Sequence, residues 1–73
     1  MSEKRLGLEL RRRREERGLT VEGLAEKSGV SVTTIRGVER GAQEARGDTV
    51  AKLAKPLGLT FDEVWELQRR GRR

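Results

Sequence analysis

The short segment GVSV at residues 29–32 limits the folds open to this chain more than any other feature. Gly29 ends one stretch of helically spaced apolar residues, and Ser31 begins the next. Glycine readily adopts the left-handed conformation found after a helix, and a serine hydroxyl caps the first amides of a helix. Because only about three residues separate the two predicted helices, these helices must meet at a tight corner.

Six residues around this corner have the sizes and shapes that two closely packed helices require. Ala25 is small where the helices approach each other, and Ile35 and Val38 are branched apolar residues on the inner face of the second helix. The full set is Leu24, Ala25, Gly29, Val30, Ile35 and Val38. Each residue alone would be ordinary in a core, but together they predict a helix-turn-helix.

The pattern along the rest of the chain predicts three further helices, so the expected fold class is all-α. Gly18 ends the first helix, Thr60 caps the last, and Pro56 should distort or end the helix before it. The first three predicted helices are about 3–17, with Leu6 and Leu10 on one face; 21–28, capped by Thr20; and 32–40. The fourth helix is capped by Asp48 or Gly47 and carries Val50, Leu53, Ala54 and Leu57. The fifth helix has Phe61, Val64 and Trp65 on its apolar side. We expect one domain at 1–67 and a disordered basic tail at 68–73.

The charge balance points towards a polyanionic partner. The 73 residues include 17 Lys and Arg against 12 Asp and Glu, which gives a formal net charge of +5. Such a small basic domain commonly binds nucleic acid, although an Arg-rich solvated surface would have the same composition. For the RRRREE run at 11–16 we favour the solvated surface, since the spacing allows ion pairs between Glu9 and Arg13, Arg11 and Glu15, and Arg12 and Glu16.

The composition argues against an enzyme, a metal site or a cofactor site. Cys and His are absent from the sequence, which removes disulfides, thiolate ligands and the commonest general base. We therefore predict no catalytic residue, no bound metal and no cofactor. No apolar stretch reaches the roughly 20 residues of a membrane span, and the N-terminal MSEKRLGLEL lacks the apolar core of a signal peptide, so the expected location is the cytoplasm.

The sequence resembles the Cro/cI phage-repressor-like (XRE-type) helix-turn-helix family over about residues 5–66. The matching segments are LG at 6–7, RGLT at 17–20, GLAEKSGVS at 23–31, TIRGVERG at 34–41, TVAKLAKPLGLT at 49–60 and FDEVW at 61–65. The resemblance implies a five-helix, lambda-repressor-like DNA-binding domain. It also implies a prokaryotic, nucleoid-associated transcription regulator, expected to be a repressor, that binds an inverted repeat in double-stranded DNA as a homodimer. The fifth helix would form the dimer surface, and Trp65 would lie either there or in the core.

The resemblance further assigns DNA contacts to residues in and around the third predicted helix, which in the family enters the major groove. Arg36 would bond a guanine, Thr33 a base edge or a thymine methyl, and Val32 a thymine methyl. Gly37 would let the helix approach the DNA closely. The expected base contacts are thus Val32, Thr33, Arg36 and Gly37, and the expected phosphate contacts are Thr20, Val21, Ser31, Thr34, Arg40 and Arg46.

An ion pair between the first and third helices also follows from the resemblance. Arg14 and Glu39 occupy the positions that the family joins, and we favour this pair over the alternative of a solvated Glu39 side chain. The expected structural residues are therefore Arg14, Ala25, Gly29, Ile35, Val38 and Glu39.

Two departures from the family pattern keep a second function open. Val21 stands where the family usually has a Gln that contacts phosphate, and Glu44, Ala45 and Arg46 replace the usual Asn-Pro-Ser. Glu44 would repel DNA if it faced the duplex. The alternative function is a protein-interaction or antitoxin-type module on the same scaffold, with a protein partner and weak or non-specific DNA binding.

Overall fold

The helices of this chain follow one another closely, joined by turns of a few residues. The structure is a computed structural model that describes residues 3–43 and 45–71. Within these ranges it contains five helices and no strand: α1 Glu3–Glu16, α2 Val21–Ser28, α3 Val32–Glu39, α4 Gly47–Ala54 and α5 Phe61–Gly71. The predicted all-α, five-helix fold is confirmed, and none of the described helices is both long and apolar enough to cross a membrane.

Apolar side chains from all five helices form one core. Val50 and Val64 are fully buried, and Ile35 and Val38 bring the inner face of α3 into the same core. The buried apolar residues are Leu6, Leu10, Leu24, Val30, Ile35, Val38, Ala45, Val50, Leu53, Ala54, Leu57, Leu59 and Val64. Since burial of each larger aliphatic side chain contributes about 1.5–3 kcal/mol, this core is the main source of stability.

Side-chain caps begin three helices where the sequence predicted them. The Thr20 hydroxyl accepts a hydrogen bond from the Gly23 amide (2.9 Å), and the Ser31 hydroxyl accepts one from the Thr34 amide (3.1 Å). At the start of α5, Thr60 and Glu63 cap each other reciprocally: each backbone amide donates to the other's side chain. These caps place the starts of α2, α3 and α5 through contacts within three residues.

The corner between α2 and α3 has the predicted geometry. Gly29 has a φ of 77°, in the left-handed region, and its amide donates to the Ala25 carbonyl at 2.9 Å. Ala25 is partly buried and packs against the core. The turn therefore sets α3 across α2 with little room for a different angle.

The start of α4 differs from the prediction. Arg46, rather than Asp48 or Gly47, is the N-cap residue, and no side chain caps this helix. The regular helix ends at Ala54, before Pro56, because proline cannot donate the next backbone hydrogen bond. Elsewhere the boundaries shift by one residue, with α1 ending at Glu16 and α3 at Glu39.

At the C-terminus, α5 continues to Gly71, so residues 68–71 of the expected tail are helical in the structure. The predicted tail residues Arg72 and Arg73 and the predicted DNA-repelling Glu44 lie outside the described residues.

Trp65 does not lie in the core. It is 39% exposed and stacks on Phe61, itself 42% exposed, with ring centroids 5.7 Å apart. The physical reason is spacing, since Val64 takes the fully buried position on α5 and the adjacent residue must point about 100° away.

Charged pairs run along the outer face of α1, as the spacing predicted, with one change of partner. Arg11 bonds Glu15 at 3.1 Å, and Arg13 bonds Glu9 at 3.2 Å. Arg12 bonds Glu9 at 2.9 Å instead of Glu16, because Glu9 lies one turn before it and accepts both arginines. The predicted pair of Arg12 with Glu16 is therefore wrong.

Candidate nucleic-acid interface

The outward face of α3 carries three exposed polar side chains. Thr33, Arg36 and Arg40 lie opposite the buried Ile35 and Val38. Their spacing of three and four residues keeps them on one side of the helix. This face is the part of α3 that could enter a groove of DNA.

The side chains at the start of α3 are more buried and more engaged in hydrogen bonds than the sequence suggested. Val32 and Thr34 are half-buried, and the Ser31 hydroxyl donates to the Thr34 hydroxyl at 2.9 Å. Both hydroxyls predicted to touch phosphate are thus bonded to each other, while Ser31 also caps the helix. To donate to a phosphate, Ser31 would have to turn its hydroxyl proton away from Thr34, whereas the Thr34 hydroxyl accepts this bond and keeps its own proton for donation.

Gly37 does not leave an open gap on this face. The residue is buried, and the side chain of the exposed Gln43 lies over it. The turn after α3 produces this arrangement: Gly41 has a φ of 76°, and the Ala42 amide donates to the Gly37 carbonyl at 2.9 Å. Gln43 therefore occupies the space beside Gly37, and the close approach of DNA at this position stays a prediction.

Arg36, the predicted guanine reader, is paired within the protein. One of its guanidinium nitrogens lies 3.2 Å from a carboxylate oxygen of Glu22, the second residue of α2. Both side chains are more than half exposed, so the pair is weak and water competes for it. The pair nonetheless gives Arg36 a defined position beside the start of α2.

A depression of about 300 Å³ opens between α1, α2 and α3. Arg11, Arg36 and Arg40 line it together with Val21, the first residue of α2. The free amides of a helix N-terminus favour anions, and three guanidinium groups around it strengthen that preference. This arrangement suits a phosphate group.

The floor of the depression is the ion pair that the sequence predicted. Arg14 donates two hydrogen bonds to the Glu39 carboxylate, at 2.8 and 3.1 Å, and a third to the Leu19 carbonyl at 2.9 Å. The side chains of Arg14 and Glu39 are only about a tenth exposed. The hydrogen bonds to Glu39 raise the pKa of Arg14, so the guanidinium is charged at any pH at which the protein folds.

The remaining predicted phosphate contacts lie around the edge of this surface. The Thr20 hydroxyl is engaged in capping α2, and Val21 is half-buried against the core, so both could offer backbone rather than side-chain contacts. Arg46 is largely exposed and only loosely associated with Asp48, at 3.9 Å. Arg46 is therefore free to reach an external anion.

Sequence reasoning missed three residues of this surface. Arg11 lies three residues before Arg14, so its place beside α3 could have been found from the predicted Arg14–Glu39 pair. Glu22 and Gln43 gave no such signal, because their partners Arg36 and Gly37 are contacts between elements. In the described residues, no group of three or more acidic side chains could hold a metal ion.

These features together define a helix-turn-helix protein of the class that regulates transcription by binding DNA. The sequence matches the helix-turn-helix family over residues 10–64, and the chain belongs to that family, in its Cro/cI (XRE) type. A similar solved structure is that of the clp gene regulator ClgR from Corynebacterium glutamicum. The two chains are 30% identical with a TM-score of 0.78, over 94% of this chain and 73% of that one. No curated protein matches the sequence.

Proposed function

We propose that this protein is a sequence-specific repressor that binds an inverted repeat as a homodimer, with α3 in the major groove. The observation that carries the proposal is the cluster of Arg11, Arg36 and Arg40 around the N-terminus of α2, directly beside the outward face of α3. Phosphate contacts position a helix in the groove, and base contacts then give specificity. The similarity to a clp gene regulator supports the part of this proposal that concerns gene regulation.

Base recognition in this proposal rests mainly on Thr33 and Arg36. Both are exposed, and a guanidinium can bond the O6 and N7 atoms of guanine with two parallel hydrogen bonds. Val32 adds apolar contact with a thymine methyl. Gly37 has no side chain and contributes through the residue that covers it.

Phosphate contacts in this proposal surround the groove-binding face. Arg40 and Arg46 supply charge, while the backbone at Thr20 and Val21 supplies the amides of the α2 N-terminus. Ser31 and Thr34 contribute hydroxyls at the start of α3, and Arg11 adds a charge from α1.

The homodimer surface in this proposal is α5. Its stacked Phe61 and Trp65 form an exposed aromatic pair, and two large rings left in water favour association. Two copies related by a twofold axis would present two α3 helices to two half-sites. A single domain of this size makes few base contacts, so pairing raises affinity. In a cell the dimer would lie on the nucleoid, in the prokaryotic cytoplasm.

One observation favours a second function, the protein-interaction or antitoxin-type module. Glu22 partly neutralises Arg36, the residue best able to read a base, and its carboxylate repels phosphates. In that case the exposed Phe61 and Trp65 would bind a different protein, and contact with DNA would be weak.

Selection of binding sites from random DNA duplexes distinguishes the two functions. The proposed repressor should enrich an inverted repeat, and its affinity for that repeat should fall steeply as the salt concentration rises. Steep salt dependence without an enriched sequence would mean phosphate binding alone. Failure to bind DNA at low salt would overturn the proposal in favour of the protein-interaction module.

Transcription in vitro then tests repression. A promoter that carries the enriched repeat should give less transcript as the protein is added, whereas an activator would give more. A promoter with a scrambled repeat is the control.

A further inference from the structure

Gln43 fills the space that Gly37 leaves on the outward face of α3. A Cβ built at Gly37 would lie 2.9 Å from Cδ, 3.0 Å from Oε1 and 3.1 Å from Cγ of Gln43. The shortest of these distances is one that real Cβ atoms essentially never show, and the other two are unusually tight, so a side chain at this position would displace the amide. The missing side chain of Gly37 thus leaves the space in which the Gln43 amide lies.

The turn after α3 holds Gln43 in this place. The Gly41 amide donates to the Val38 carbonyl at 3.0 Å, and the Ala42 amide donates to the Gly37 carbonyl at 2.9 Å. These two bonds reverse the chain and bring the next residue back across the helix. The position of Gln43 therefore follows from the backbone of the turn.

The space above Gly37 lies on the side of α3 that faces outward. Gly37 comes four residues after Thr33, so the two positions lie on the same side of α3. Gln43 is exposed and, among the described residues, its amide makes no hydrogen bond. The Gln43 amide thus lies over Gly37, on the side of α3 that carries Thr33.

We propose that Gln43 is a specificity-determining residue that reads an adenine from the loop after α3, in place of the side chain that Gly37 lacks. A glutamine amide bonds the N6 and N7 atoms of adenine with complementary donor and acceptor. Contact with Gly37 limits the rotamers of Gln43 before DNA binds, so less side-chain entropy is lost in the complex. This inference rests on the proposed DNA-binding function and adds a reader that lies outside the recognition helix.

The test compares base preferences of four proteins in the same selection: the wild type, Gln43→Ala, Gly37→Ala and the double variant. Gln43→Ala should lose the preference for one A·T pair in each half-site, by about 5- to 150-fold, and keep the preferences at the other positions. Gly37→Ala should weaken the same preference, because its methyl group displaces the amide. In the Gln43→Ala background, Gly37→Ala should have no further effect at that pair.

Thermal unfolding of each variant serves as the folding control. Gln43→Ala truncates an exposed side chain, so it keeps the test decisive even if Gly37→Ala unfolds the protein. The inference is overturned if Gln43→Ala enriches the wild-type sequence unchanged. It is also overturned if affinity falls equally for every sequence, since that would make Gln43 a phosphate contact. If the wild type enriches no sequence, the proposed function fails together with this inference.

Discussion

The guanidinium of Arg14 and the carboxylate of Glu39 form a buried ion pair, since each side chain is only about a tenth exposed. The Arg14 guanidinium donates two hydrogen bonds to this carboxylate and one to the Leu19 carbonyl, and these three bonds offset the cost of removing the charges from water. The same pair joins α1 to the last residue of α3. A single contact thus stabilises the fold and holds the recognition helix.

Arg14→Ala should destabilise the protein by about 3 kcal/mol or more, because it leaves the Glu39 carboxylate buried without its partner. The matched control is Arg11→Ala in the same helix, whose pair with Glu15 is more than half exposed and should cost under about 0.5 kcal/mol. Urea denaturation measures both. Equal losses for the two variants would show that burial of the Arg14 pair has no special role.

Glu9 makes a smaller, pH-dependent contribution. Its hydrogen bond from Arg12, with a further one from Arg13, lowers the pKa of the Glu9 carboxyl below the ordinary value, against the opposing effect of burial. A carboxyl with a lowered pKa stabilises the fold above its unfolded-state pKa, and this contribution is lost as pH falls through the folded-state value.

Glu9→Gln should therefore have a lower Tm than the wild type at pH 7, and the difference should close as the pH falls below about 4. Melting curves of both proteins across this range provide the measurement. A Tm difference that does not shrink at all as the pH falls from neutral through the acidic range would exclude titration of Glu9 as its cause.

Glu22→Gln should strengthen binding to all DNA sequences by a few-fold, because it removes a negative charge from the phosphate-facing surface and frees Arg36. The control is Glu26→Gln on α2, which changes the net charge equally but lies one turn further from the start of the helix. Binding titrations at fixed salt compare the two. If both variants gain equally, the effect is one of net charge, and the contact with Arg36 is irrelevant.

The crossing of α1 over α3 depends on a glycine at the contact. A methyl group at Gly7 would overlap the carbonyl oxygens of Val38 and Glu39, which belong to the last turn of α3. The two helices can approach this closely only without a side chain at that position. The angle at which α3 faces outward follows from this contact together with the Gly29 turn.

Gly7→Ala should destabilise the protein by about 1–3 kcal/mol or more through overlap with backbone that cannot move away. Gly47→Ala is the matched control in α4, where nothing lies within 4 Å of the new methyl group, and it should be neutral or stabilising. Thermal unfolding separates the two substitutions. If Gly7→Ala were as stable as Gly47→Ala, the close helix crossing would be wrong.

At the scale of the whole molecule, the arginines beside α2 and the exposed aromatic pair lie on different helices. The arginines that surround the start of α2 come from α1 and α3, whereas Phe61 and Trp65 extend from α5. One surface can therefore bind a polyanion while another forms a protein contact. This division is what a DNA-binding homodimer needs.

Trp65→Ser should shift the protein from dimer towards monomer, because it removes one ring of the exposed aromatic pair that we propose as the dimer surface. Leu8→Ser on α1 is the control, since Leu8 is the most exposed large apolar side chain described, at 63%, and lies on another helix. Sedimentation over a range of protein concentrations measures the change. A wild type that stays monomeric at every concentration, or dissociation of the Leu8 variant instead, would contradict this assignment.

The sequence by itself determined the local features of this protein. The caps at Thr20, Ser31 and Thr60 and the turn at Gly29 depend on hydrogen bonds that span a few residues, so the residue types were enough to predict them. Apolar periodicity likewise placed Ile35 and Val38 in the core. The pair of Arg14 with Glu39 was predicted from a family resemblance, since its partners are far apart in the chain.

Only the tertiary structure decided which side chains meet across elements. Glu22 reaches Arg36 and Gln43 covers Gly37 because of the angles at which α2, α3 and the following turn are joined. Trp65 lies outside the core because Val64 already fills the space on α5. The spacing of residues along the sequence does not predict the angles between the helices. The helices could therefore be predicted from the sequence, while the composition of the surface that faces DNA could be predicted only in part.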